Sequence, residues 1–330
     1  MKPKKIIGRH LLIVALFTIL FGHTGYAVEI TLRYAELNPP AHPMTRGAYE
    51  YARLMKEGTG GRVDIQIYDS GQLGDEKSML QALQFGAVDF FRTTVMNMED
   101  FGVDSFSVFG LPYIFRDLGH LGQVLRSDIG QKFLDDIESA GIGMIGLGYM
   151  EEGPRNMFFA TKEVRKLSDV KGLKIRVPET QLMMDTMSAL GANPTPLAYS
   201  ELYTSIQTGV VDGAENGITG YVTNSFFEVA PIYVRDAHTF GAGLLLISET
   251  SWNRLGGADR KILKDCAAEA MDFVLEITKK IESEYYAQMA EKGIRIVEVE
   301  DPENWRAAVE NLHRRYGAAY ADVISRIKAM

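Results

Sequence analysis

VDIQIYDSGQLGDEKSMLQALQFGAVDFFRTT, residues 63–94, is the stretch from which the fold can be read. Val63, Ile65 and Ile67 alternate with polar residues, the period of a strand with one buried face. Ser70-Gly-Gln-Leu-Gly74 is a turn. Asp75 follows where an N-cap carboxylate accepts from the first unpaired N–H groups of a helix. That helix carries Met79 and Leu83 inward, with Gln84 at the margin of the same face. Ala87 to Thr93 returns to a strand. Upstream, Glu29 to Glu36 reads as a strand, and Met44, Ala48, Tyr51 and Met55 mark one helix face, ended by Gly58-Thr-Gly-Gly61. The order is βαβαβ, which predicts a largely parallel sheet with helices on both faces.

The pattern resumes in the second half. Gly172 to Val177 reads as a strand, Gln181 to Leu190 and Ser200 to Thr208 as helices, and Val210 to Ala214 as a strand. A chain of 330 residues suggests about two domains. Two α/β units leave a cleft between them, the usual place for a small ligand. The C-terminal third is helical. Ile262, Cys266, Ala270, Phe273 and Ile277 fall on one face of a long helix from Asp259 to about Ala290, and Pro302 to Ile327 reads as another. Both are placed to brace the two domains.

The N-terminus reads as a secretory leader. Lys2, Lys4, Lys5 and Arg9 precede the apolar run Leu11 to Phe21, and Gly25-Tyr26-Ala27 follows with small residues at the cleavage positions. The run is shorter than the roughly 20 residues of a membrane span. No cysteine follows it to carry a lipid. Export to the periplasm, with cleavage near Ala27, is the expectation. Of 35 Lys and Arg, removal of those four leaves 31 against 43 Asp and Glu, a net charge of −12. Such a balance argues against nucleic acid and anionic membranes as partners, but not against an anion held in a buried site. The one cysteine, Cys266, cannot form an internal disulfide, so the exported chain must be stable on its core alone.

Most catalytic signatures fail. Gly141-Ile-Gly-Met-Ile-Gly146 matches GxGxxG in letters, but a helix pattern precedes it and its glycines alternate with apolar residues as in a strand, so no dinucleotide site is expected. There is no GxSxG, Walker loop, HExxH or CxxC pair, and the histidines have no metal-ligand spacing. Neither a cofactor nor a metal is expected. Two other stretches, with the strand at 172–177, carry a site. Arg155 lies in a Gly-Pro turn beyond a strand at Ile142–Leu147. Asp212, Glu215 and Asn216 end the strand in VDGAENG (211–217). Arg176 lies on the polar face of its strand, just before Pro178. In open α/β sheets ligands sit beyond strand ends. Two guanidiniums and an amide there can saturate a carboxylate, and only Arg offers a planar fork. The competing reading is surface arginines paired with neighbouring acids.

GLKIRVPE (172–179), residues 189–216 (ALGANPTPLAYSELYTSIQTGVVDGAEN), GQLGDEKSML (71–80) and LPYIFRD (111–117) resemble the extracytoplasmic solute-binding subunits of TRAP transporters, the DctP-like family. The resemblance runs from Tyr34-Ala-Glu-Leu-Asn38 to the C-terminal helices. It implies a two-domain periplasmic-binding-protein fold: 28–152 with 241–280 as one domain, 153–240 with 281–330 as the other, closing over one small organic acid. It implies that Arg176 pairs with the ligand carboxylate, with Arg155 and Asn216 assisting. Asn38, Glu76 and Arg92 match positions that read the rest of the ligand, and Tyr199 a wall position. His42, Glu215 and Phe240 complete the expected site. The implied partners are the transporter's membrane subunits, with the protein itself a monomer and not an enzyme.

The nearest resemblance is to members that bind sugar acids such as uronates. Those members usually carry a Ser/Thr-Arg pair and then Pro-Glu after the histidine. Here His238-Thr-Phe-Gly-Ala-Gly243 places Phe240 at the basic position and glycines at the acidic end. With Phe90, Phe91, Met96 and Met98 nearby in sequence, a less polar pocket for an aromatic keto acid or a simple dicarboxylic acid stays open. A receptor-coupled sensor would look the same in sequence. An exported lyase or hydrolase would need a nucleophile or metal in the cleft.

Overall fold

The structure is a computed structural model that describes residues 29–330. The leader and its cleavage site lie outside the described residues. Alternating side chains build the first strands, β1 (Ile30–Ala35) and β2 (Val63–Tyr68), while β3 (Phe90–Thr94) is buried throughout. β1 pairs in parallel with both. The helix Pro43–Gly58 opens on His42, whose Nδ1 accepts from the Met44 N–H at 3.1 Å, and buries Met44, Ala48, Tyr51 and Met55 as their spacing predicts. The helix Glu76–Gln84 opens on Asp75, which accepts from the Ser78 N–H at 2.8 Å.

The long strand β4 (Met144–Phe159) follows, then β5 (Lys174–Val177), β6 (Asn193–Pro196), β7 (Gly213–Gly217), the long strand β8 (Ile232–Ser248) and β9 (Arg295–Glu298). The order across the sheet is β2-β1-β3-β8-β4-β7-β5-β6, with β9 on β8. The two outer groups are parallel, as expected, but the centre is not. β8 runs antiparallel to β3 and β4, and β7 antiparallel to β4. The expectation of a largely parallel sheet is corrected there. β4 and β8 pass through both groups and tie them into one sheet.

The sequence reading split β4 into a strand at Ile142–Leu147 and a Gly-Pro turn. Gly141 and Gly143, at positive φ, form the turn before β4 instead, and Pro154 lies inside the strand. A proline is tolerated there because the pairing with β8 is broken by bulges, one of them between Glu151 and Gly153. Arg155 is accordingly a strand residue. β7 likewise starts three residues later than expected.

The helix Gly257–Glu291 spans 35 residues. Its first half packs with Met44, Tyr51 and Leu245, and its far end, at Met289, with Phe158, Tyr221 and Tyr233. Its buried stripe runs through Leu263, Cys266, Ala267, Ala270, Val274 and Thr278, so the expected Phe273 and Ile277 sit at its margin. The final helical pattern is broken into Pro302–Gly317 and Ala321–Ala329. The last helix reaches back to the first group, where the Ile327 carbonyl meets His120 Nε2 at 2.8 Å.

β7 carries two expected site residues and begins at a glycine with no room for a side chain. A Cβ on Gly213 would lie 2.2 Å from the Phe158 carbonyl oxygen and 2.6 Å from the Phe159 ring. Gly213→Ala is expected to lose about 1–3 kcal/mol of stability, the usual cost of overpacking, as read from urea denaturation midpoints.

Candidate functional site

The two strand groups face each other across a narrow cleft with about 60 Å³ of free volume. Leu37, Asn38 and His42, from the segment after β1, line it together with Glu76, Arg92 and Thr94. Glu152 and Arg155 of β4 lie between the groups, and Arg176, Pro178, Tyr199, Asn216 and Thr219 form the opposite wall.

Three arginines meet there, each differently held. Arg92 donates from Nε to Glu36 Oε2 at 2.9 Å, and its Nη2 reaches the other carboxylate oxygen. Glu36 is fully buried and also accepts from the Leu37 and Asn38 backbone N–H groups and from Asn38 Nδ2. Burial works to raise its pKa, but the Arg92 guanidinium outweighs burial and holds the carboxyl below its usual range. Arg155 donates from Nε and Nη2 to the two oxygens of Glu215, at 2.6 and 2.8 Å. Arg176 donates from Nε and Nη2 to a neutral acceptor, the Leu197 carbonyl, at 2.9 and 2.7 Å. Its guanidinium lies 5.7 Å from the centre of the Tyr199 ring. Arg176 is 3% exposed, and among the described residues no carboxylate lies within 4.0 Å of it. Burial pulls its pKa below the ordinary arginine value.

Arg155 and Arg176 thus spend the same edge of the fork on protein, and each leaves Nη1 toward the cleft without a protein hydrogen bond among the described residues. The Tyr199 hydroxyl accepts from Asn216 Nδ2 at 3.1 Å and Asn224 Nδ2 at 3.0 Å, so its own proton is free to be donated. Burial pushes that hydroxyl up to about 12, which keeps it neutral. His42 uses Nδ1 as an acceptor, which assigns its proton to Nε2. Burial pulls its pKa down to about 3, leaving a neutral donor. Glu76 Oε1 accepts from Thr93 Oγ1 at 2.8 Å.

Of the ten residues expected from sequence, Arg176, Arg155, Asn216, Glu76, Asn38, Arg92, Tyr199 and His42 line this cleft. Glu215 lies behind Arg155, fully buried. Phe240 is a correction. It lies in β8 opposite Pro154 and faces a separate cavity with Tyr113, Phe115 and Trp305, although the family pattern put it at a ligand position. Phe90, Phe91, Met96 and Met98 are core residues, so the argument for an apolar pocket loses its residues. Sequence reasoning missed Glu36, Glu152, His238 and Thr219. Reading 144–159 as one regular strand would have put Glu152 on the face opposite Arg155. The bulge between Glu151 and Gly153 brings it to the cleft, and nothing local in the sequence signals that bulge. Among the described residues no group of three or more His, Cys, Asp or Glu could hold a metal ion, and no helix is long and apolar enough to cross a membrane.

The family model for bacterial extracellular solute-binding proteins, family 7 (DctP), matches residues 34–319. The chain belongs to the DctP family. It is a TRAP-type solute-binding protein with that family's mixed α/β fold and long C-terminal helices. It is 28% identical to a TRAP solute-binding protein of Pseudomonas putida F1 solved with bound D-glucuronate. That comparison covers 91% of this chain and 97% of the other, with a TM-score of 0.88. A Polaromonas protein bound to D-erythronate is 29% identical, covering 92% and 99%, also with a TM-score of 0.88. The C4-dicarboxylate-binding periplasmic protein DctP of Rhodobacter capsulatus is 29% identical over 100% of this chain and 99% of its own.

Behind Arg155 this DctP-family chain holds a buried ionic relay. His238 Nδ1 lies 2.7 Å from Asp236 Oδ2, and its Nε2 lies 3.4 Å from Glu215 Oε2, an ion pair without the alignment of a hydrogen bond. Burial alone would lower the His238 pKa, but Asp236 and Glu215 outweigh burial and push it up to about 9. A raised folded-state pKa stabilises fully below the unfolded value near 6.5, and that contribution is lost as pH rises through about 9. Wild-type stability, from denaturation at stepped pH, is expected to fall across this window by on the order of 3 kcal/mol relative to a His238→Gln variant. Parallel profiles for the two proteins would show a neutral His238.

Proposed function

We propose that the chain captures a small hydroxylated carboxylate, a sugar acid of the uronate or aldonate class, and delivers it to the membrane subunits of a TRAP transporter. The observation that carries this reading is Arg176, a buried cation with no carboxylate within 4.0 Å among the described residues. A ligand carboxylate would take the Nη1–Nη2 edge of its fork, since Leu197 holds the other. Arg155 Nη1 and the Tyr199 hydroxyl add donors, and Asn216 positions Tyr199. Across the cleft Asn38, His42, Glu76 and Arg92 offer donors and acceptors suited to hydroxyl groups. The glucuronate and erythronate bound by the two solved relatives are of this class.

The protein would act outside the cytoplasm as a monomer, its leader removed near Ala27, and bind without turning over its ligand. Its lobes would be 28–152 with 241–280, and 153–240 with 281–330, the last helix reaching back across. Closure would exclude water from the Arg176–carboxylate pair and lower the local dielectric, which strengthens the attraction. Desolvation opposes this, and the surrounding donors must offset it.

Thermal-shift screening of sugar acids should reveal the ligand, because one present at 100 times its Kd adds about 2.7 kcal/mol of stability. In calorimetry, Arg176→Ala should weaken that ligand by roughly 30- to several-thousand-fold, the usual cost of about 2–5 kcal/mol for leaving one partner of such a pair alone. Arg176→Lys should also fail, because an ammonium cannot bridge Leu197 and a carboxylate with one planar fork. Unchanged affinity in both variants would refute the assignment.

A further inference from the structure

Gly241-Ala-Gly243 of β8 lies beneath the middle of the cleft. A Cβ on Gly241 would come within 2.8 Å of Glu152 Oε2, and one on Gly243 within 2.9 Å of Arg92 Cδ. These positions lack side chains where Glu152 and Arg92 fill the space. Glu152 is the extra residue of a bulge in β4: Glu151 pairs with Ala242 and Gly153 with Gly241, so Glu152 has no partner on β8. Bulges next to binding sites re-aim one side chain, and this one directs Glu152 into the cleft lining.

The Glu152 side chain is 11% exposed, with Oε1 3.4 Å from Arg92 Nη1 and Oε2 3.9 Å from Arg155 Nη1. Both guanidiniums already carry a carboxylate of their own, Glu36 and Glu215. Glu152 is therefore an additional anion, and Glu76 is another on the same lining. Among the described residues the cleft lining holds one cation with no carboxylate within 4.0 Å, Arg176, and two carboxylates that do not pair with it, Glu76 and Glu152. Burial pushes the Glu152 carboxyl up, against the pull of Arg92 and Arg155. Hydroxyl donors from a ligand would relieve that burial, whereas a second ligand anion would worsen it.

Resting on the reading of Arg176 as the carboxylate anchor, we propose that Glu152 is a specificity-determining residue that contacts the ligand. It accepts hydrogen bonds from hydroxyls remote from the anchored carboxylate and disfavours acids with a second carboxylate at that end. The substrate class is then a polyhydroxy monoacid, not a diacid.

The test uses acid pairs that share an open-chain skeleton and differ at the far end: D-erythronate against meso-tartrate, and D-gluconate against D-glucarate. Calorimetric Kd values are compared for wild type, Glu152→Gln and Arg176→Ala. Wild type should bind at least one monoacid tenfold or more tighter than its diacid, and Glu152→Gln should shrink that ratio at least fivefold. Wild type binding the diacids as well as the monoacids would overturn the proposal. So would a ratio within twofold of wild type in Glu152→Gln while Arg176→Ala loses every acid, a result that leaves the anchor standing. Unimpaired binding by Arg176→Ala would instead remove the anchor and this proposal with it. Should Glu152→Gln fail to fold, Glu152→Ala is measured in its place against the same two thresholds.

Discussion

Arg176 is a guanidinium withdrawn from water and held by a backbone carbonyl instead of an acid. An isolated buried cation costs several kcal/mol even after relaxation. The fold meets part of that cost with the Leu197 dipole and the Tyr199 ring face, and leaves the remainder for something that enters the cleft. Pairing Arg176 internally would make the empty protein more stable and remove its reason to bind. The position is set by its strand: Ile175 and Val177 face the core on one side, and Pro178 ends β5 just beyond the arginine.

The other two cations are treated in the opposite way. Arg92 and Arg155 are each locked against a fully buried glutamate, and those glutamates are fixed in turn, Glu36 by backbone N–H groups and Glu215 by His238. Their side chains are ordered before any ligand arrives. Binding then costs little side-chain entropy at these positions, a preorganisation that raises affinity without adding contacts. Arg155 contributes one free N–H group from a rigid mount. Among the described residues of the cleft lining, Arg176 alone has no carboxylate within 4.0 Å. On the proposed reading, a division of this kind would favour a ligand with one carboxylate without the cost of burying several free cations.

Local elements were legible in the sequence because their signals are local. The period of Val63, Ile65 and Ile67, the Asp75 cap and the Met44–Met55 stripe each lie within a few turns of chain, and the structure bears them out. The central sheet was not legible, because β4 and β8 contain Gly, Pro and a buried ion pair, all of which read as turn or loop. Their bulges hide the period of 2. Phe240 entered the expected site from the family pattern after His238, and the continuous strand β8 carries it to a different cavity. Arg176 and Asn216 lie near the ends of their strands, where open sheets place ligands, whereas Arg155, expected in a turn beyond a strand, reaches the same cleft from within β4. Glu36 and His238 were missed because each acts through a partner distant in sequence, Arg92 and Glu215.

The two long strands also explain why the anchor and the residues that would read the ligand can belong to different halves of the molecule and still keep register. β4 and β8 run without interruption from the β1–β3 group to the β5–β7 group, so neither half can drift sideways without breaking backbone pairing. They can bend, because the β4–β8 register shifts at Gly146/Gly148, Glu151/Gly153 and Arg155/Met157. Two of those three irregularities flank Glu152 and Arg155. A hinge placed there moves the walls about the residues between them. If the cleft closes as proposed, Arg155 and Glu152 would stay near the axis while Arg176 and Glu76 swing, and the charge pattern at the base of the cleft would be preserved.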